Sequence, residues 1–198
     1  MSKNDNILIL FGRSLFINEI SHYIPKLCEK YHTMGCNFFC NTFPQVEYVI
    51  YYDNIAPDIN TNQVVITNKK YAEDENSKSY SILTTHPKCE LYNITKSFYF
   101  SEDKDTLSMC GHTPSLALNW AYHKGIKNII IAGIDLDYSS RIHFDANKVP
   151  GVVVSDLSQG ALIHARKHLK YAEKFLNIVQ LNPKSDIDLP KINIEDLI

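Results

Sequence analysis

The chain has 198 residues, 44% hydrophobic and 21% charged, a composition that fits an ordinary globular fold and excludes a disordered or collagen-like chain. That length fits one domain over 1–198, with room for a small lid around 69–111, and a domain of this size buries roughly 70% of the surface its unfolded chain exposes. A formal net charge of −2 and only three arginines, Arg13, Arg141 and Arg166, supply no basic field for duplex DNA or RNA, so no nucleic-acid partner is expected.

No apolar run reaches the roughly 18 residues of a membrane helix, so no transmembrane segment is expected. The polar opening, Met1 to Asn6, leads straight into an apolar run and does not read as a signal peptide. Five cysteines form no paired framework, which fits a reducing, cytoplasmic setting.

Ile7 to Phe11 is apolar on both faces, the mark of a central parallel strand, and Gly12 ends it. Ser14 is placed to cap a helix in which Leu15, Ile17, Ile20, Ile24, Leu27 and Tyr31 recur near helical spacing, with a break or kink at Pro25. Residues 33–37, 46–52 and 62–68 read as further strands. Residues 69–77 read as a loop, 79–85 and 90–100 as β-like stretches rich in Tyr, Ile, Thr and Phe, and 101–111 as another loop. Pro114 opens a helix through Lys124 that Gly125 closes. Asn128 to Ala132 is a buried strand, 136–155 a loop, 156–175 a long amphipathic helix and 178–181 the last strand, with a short turn or helix at 193–198. Strands alternating with helices predict an α/β, Rossmann-like three-layer domain with a mainly parallel sheet.

In such sheets ligands bind beyond the carboxyl ends of the strands. The residues there are Gly12, Arg13 and Ser14 after the first strand, Asn37 after the second, Asp53 after the third, and Asp135 after 128–132. Gly12 permits close backbone approach, and the helix that follows offers N–H groups to an anion. The alternative is an ordinary strand–helix turn capped by Ser14. Asn37 can donate and accept toward a base or sugar, or simply make a turn. Asp53 fits a ribose, a metal or an acceptor hydroxyl, and equally a cap. Thr113 and Ser115 offer a second anion site at a helix start, or a plain cap. The loop from Asp135 to Asp145 gathers Tyr138, Ser139, Arg141 and His143: a phenol, a hydroxyl, a phosphate or carboxylate clamp, and an acid–base group. His164 and His168 lie one helical turn apart, but the segment His164-Ala165-Arg166-Lys167-His168 lacks a glutamate and carries two cations. Packing is therefore the expected role, not metal binding.

Several of these segments resemble the bacterial sialyltransferases of glycosyltransferase family 42 and, equally, the related 6-hydroxymethylpterin pyrophosphokinase-like proteins that include motility accessory factors. Phage chains described only as glycosyltransferase-like share the pattern. The opening strand with Gly12-Arg13-Ser14-Leu15 resembles the family's Gly-x-Gly-Pro-Ser-Leu, with Phe11 and Arg13 departing from it. Cys36-Asn37-Phe38-Phe39 is similar to its strand–Asn–aromatic segment, and Tyr51-Tyr52-Asp53 to the end of its third strand. Thr113 to Asp135 is similar to its helix, Gly turn and Gly-Ile-Asp strand. Ser139 to Asp145 resembles its Ser-Ser-Tyr-x-Phe-Asp loop without the phenol, and Leu181 to Ser185 its terminal Cys-Pro-Asn-Ser.

The resemblance implies a GT-A-like, Rossmann-type fold needing no metal or resident cofactor. A nucleotide sugar, CMP-sugar-like, would lie over Gly12, Ser14, Asn37, Thr113 and Ser115. It implies a glycan acceptor, and Tyr138 near the leaving phosphate. The family's general-base histidine, counted back from Pro183, falls on Ser158. A base here must then be His143, His164 or Asp135. Two alternatives stand beside transfer: a Mg²⁺-dependent pyrophosphokinase using Asp53, Asp135 and Asp137, and a non-catalytic protein that sequesters a nucleotide. A homo-oligomer is compatible with each.

Overall fold

The apolar run at Ile7 extends as a strand because layers of side chains cover both of its faces. The computed structural model describes residues 3–136 and 159–198. Among them, eight strands form one sheet: β1 (Asn4–Phe11), β2 (Tyr31–Cys36), β3 (Tyr48–Ile50), β4 (Val64–Asn68), β5 (Cys89–Lys96), β6 (Thr106–Met109), β7 (Asn128–Ala132) and β8 (Asn177–Gln180). Their order is β6-β5-β4-β3-β2-β1-β7-β8, and every pairing is parallel.

Strand side chains alternate between faces. Leu8 and Leu10 of β1 therefore join one buried layer, and Ile9 and Phe11 the other. The second layer is completed by five short helices: α1 (Phe16–Ile20), α2 (Ile24–Lys30), α3 (Phe39–Thr42), α4 (Lys70–Glu73) and α5 (Tyr80–Thr85). The first is completed by α6 (Thr113–Lys124) and α7 (Gln159–Ala172). The result is the α/β, Rossmann-like three-layer domain read from the sequence.

α6 is buried nearly all round, from Leu116 and Ala117 to Trp120 and Ala121. The sheet's β6 edge reaches it, and side chains of α6 occupy that edge. Asn119 Oδ1 accepts from the amides of Ser101 (3.1 Å) and Ser108 (2.7 Å), and Ser115 Oγ accepts from the amide of Cys110 (2.8 Å). At the other edge the C-terminal tail lies against β8. Gln180 N donates to Pro190 O (2.8 Å), and Ile192 N donates to Gln180 O (3.1 Å). An exposed strand edge is a template for unwanted pairing, and each edge here is covered in part, that of β8 at Gln180.

Several local expectations change. Residues 79–85 are helical, not β. Only Leu83 of α5 is buried, so tertiary setting overrides β propensity here, and Thr84 and Thr85 donate to the carbonyls of Tyr80 (2.8 Å) and Ser81 (2.7 Å) within the helix. Residues 106–109, expected in a loop, form β6, because Leu107 is buried and distant α6 supplies partners for its edge. Residues 70–73 make one helical turn within an expected loop. The helical segment is interrupted at Pro25, as expected: α1 ends at Ile20, a 3-10 turn spans Ser21–Tyr23, and Pro25 stands in the first turn of α2. The stretch 69–111, read as a lid, thus contributes β5 and β6 to the sheet. Gly125 ends α6 in the left-handed region at φ +74°, as expected.

Candidate functional site

The strand order reverses at β1, which has β2 on one side and β7 on the other. The crevice beyond the carboxyl ends of these strands is the place where open parallel sheets bind ligands. Its floor is main chain. Gly12 N donates to Ala132 O (2.8 Å), and Ser14 N donates to Gly133 O (3.0 Å). A Cβ on Gly12 would lie 2.2 Å from Gly133 O, so no other residue fits without moving β7. Gly133 stands at φ +69°, and a Cβ there would meet Ile17 Cγ1 at 2.6 Å. Two amides of this turn, those of Gly12 and Ser14, are therefore already bonded to the β7 strand end.

Ser14 does not cap the first helix. Leu15 is the N-cap of α1 and makes no side-chain cap bond, while the Ser14 hydroxyl donates to Asp135 Oδ2. The other carboxylate oxygen, Oδ1, accepts from Gln180 Nε2 at 3.3 Å. Asp135 is half-buried, and these two donors fix its carboxylate just beyond the end of β7. Gln180 itself is buried, and its Oε1 has no hydrogen-bond partner. Sequence reasoning missed Gln180. The available signal was a lone amide in the apolar strand Ile178-Val179-Gln180-Leu181.

Across β1 lies a second group. Asn37 ends β2 in the left-handed region at φ +54°, with its amide on Ile50 O (2.9 Å). Thr113, the first residue of α6, donates its hydroxyl to Asn37 Oδ1 at 3.3 Å. The N-cap of α6, His112, makes no side-chain cap bond. The N-terminus of this 12-residue helix carries a partial positive charge. Arg13 is buried, with its guanidinium carbon 5.6 Å from the centre of the Phe38 ring. With β1 between them, the Asp135 and Asn37 strand ends stand about 10 Å apart, two strand spacings.

Other expected residues stand apart from these two groups. The Ser115 hydroxyl is wholly buried. It donates to His112 O (2.6 Å) and accepts from Cys110 N, so it serves the chain's own turn. Asp53 is exposed beyond β3. His164 is exposed on α7, where its ring meets that of Phe98 at 6.5 Å. His168 packs inward against Phe98, Phe100 and Tyr171, in the packing role read from the sequence. Tyr138, Ser139, Arg141 and His143, with Asp137, lie outside the described residues.

His168 also faces His112, with ring centres 6.1 Å apart. Neither ring nitrogen of either residue has a partner. Burial pushes His112 down to about 3, with the neighbouring His168 charge adding to it, and burial pushes His168 down to about 4. Both are neutral near pH 7. Burial drives the Cys36 and Cys40 thiols up to about 12, which leaves them unsuited as nucleophiles. Among the described residues no group of three or more His, Cys, Asp or Glu side chains could hold a metal ion. The chain matches no family model, no curated protein and no solved structure.

Proposed function

We propose that the chain is a glycosyltransferase-like protein that binds a nucleotide sugar, CMP-sugar-like, over the strand ends and passes the sugar to an acceptor hydroxyl. The observation that carries this reading is the Asp135 carboxylate, held by Ser14 and Gln180 at the switch-point strand ends, two strands away from Asn37 and the start of α6. The nucleotide phosphate lies toward Thr113, where the helix end favours negative charge. The acceptor oxygen forms a bond to the anomeric carbon, and the bond from that carbon to the phosphate oxygen breaks. The acceptor proton passes to Asp135, and the electron pair leaves with the nucleotide. Thr113 and the α6 N-terminus stabilise the charge that develops on the phosphate.

The test is a thermal-shift screen of nucleotides and nucleotide sugars, followed by mass analysis of mixtures with glycan acceptors. Expected is a shift with CMP or a CMP-sugar and a transferred product. Asp135→Asn should keep the shift and lose the product. Absence of any nucleotide shift overturns the reading.

One observation favours a second reading, a non-catalytic nucleotide-binding protein: both Asp135 oxygens already accept hydrogen bonds within the chain. A nucleotide sugar bound tightly and recovered intact in the presence of acceptors would select it.

A further inference from the structure

The outward side of α7 carries a stripe that the candidate site does not use. Ile163, Lys167 and Lys170 are exposed, and their four- and three-residue steps place them along one line of the helix. Lys174, exposed in the turn that follows, continues the line. Beside it stands Tyr99 from the β5–β6 connection. Its ring meets Tyr171 at 5.5 Å, and the Lys174 ammonium sits 5.9 Å from the centre of the same Tyr171 ring. Three large hydrophobic side chains stand exposed among the described residues: Leu15 (42%), Ile163 (53%) and Tyr99 (65%). Two of the three border this stripe.

Charge on this face is only partly neutralised. Lys170 pairs with Glu173 (3.0 Å) and Asp188 (3.4 Å), and Arg166 with Asp186 (2.9 Å). Among the described residues Lys167 and Lys174 have no carboxylate partner, and neither has Lys96 at the end of β5, three residues before Tyr99. The apolar face of α7 is buried in the core, so what its outward side offers a partner is a row of lysines beside one aliphatic and one aromatic side chain. Lysines there are drawn to anionic headgroups, and tyrosine rests at headgroup depth.

We propose that this face of α7, with the Phe98-Tyr99 loop, docks on an anionic lipid surface. A second copy of the chain fits poorly, because pairing the face with itself sets lysine against lysine. Nucleic acid fits less well, because a phosphate backbone offers nothing to cover the exposed aliphatic Ile163, which a lipid interface can take up. The proposal does not depend on nucleotide binding.

The test is co-sedimentation of the full chain with vesicles of two parts phosphatidylcholine to one part phosphatidylserine, against pure phosphatidylcholine. Expected is binding to the anionic vesicles alone, weakened between about 0.1 M and about 0.5 M salt as screening grows. Lys167→Glu with Lys174→Glu should weaken partition about tenfold or more. Ile163→Ser with Tyr99→Ser should also weaken it. The four positions are exposed, so thermal midpoints should stay at the wild-type value, and salt release of the wild type tests the electrostatics without any variant. Equal binding to both vesicles, no binding to either, or stripe variants that sediment like wild type overturn the proposal. Preferential capture by polyglutamate or a single-stranded oligonucleotide also overturns it.

Discussion

Acid should unfold this protein through two histidines. His112 and His168 sit where α6 begins and α7 packs, buried and without hydrogen-bond partners on their ring nitrogens. An unfolded chain protonates each near pH 6.5. The folded chain resists until about pH 4 at His168 and about pH 3 at His112, because burial disfavours the charged ring. Folded values below unfolded ones mean that the unfolded state binds more protons as pH falls. Stability is therefore full above the unfolded value and declines below it, until the folded values are reached. Between pH 7.5 and pH 5 each ring costs about 2 kcal/mol by this linkage, and the pair about 4 kcal/mol. That is a large share of the roughly 5–15 kcal/mol by which domains are stable. Urea titrations at the two pH values, read from the single tryptophan, buried Trp120, measure it. His168→Phe should remove about half of the difference. A wild-type stability that does not fall at pH 5, or a double variant, His168→Phe with His112→Leu, that falls as far as wild type, would refute the reasoning.

Two further substitutions test the frame of the site. Gly12→Ala forces a methyl group into Gly133 O and should cost about 3 kcal/mol or more, seen as a lowered thermal midpoint or as insoluble protein. Asn119→Ala strips the acceptor from two amides and should cost about 2–4 kcal/mol in urea titration. The same change uncovers β6, so light scattering should show association that grows with protein concentration.

The central strands were legible because their residues answer to both layers at once. Ile7 to Phe11 and Asn128 to Ala132 are apolar throughout, and only a buried parallel strand needs that. The switch-point glycines were legible for a similar reason: a strand end followed by Gly points to close backbone approach. β6 was not legible, since the groups that complete its edge come from Asn119 and Ser115, later in the chain. α5 misled through composition. Its Tyr, Ile and Thr residues favour strands, yet the hydroxyls of Thr84 and Thr85 find local helical carbonyls. Ser14 was correctly placed beside a helix start, but its hydroxyl turns to Asp135, a partner 121 residues away that spacing cannot reveal. Gln180 was missed on the same ground: its role comes from the register of β8 against β7.

The contact between Gly12 and Gly133 limits how this crevice can vary. Its base is peptide backbone pressed against peptide backbone, so substitution cannot re-line it without parting two strands. On the proposed reading, ligand preference would be set at the rim, by Asn37, Phe38, Thr113 and the residues around Asp135. Relatives that keep both glycines should share one floor while differing freely in what rests on it.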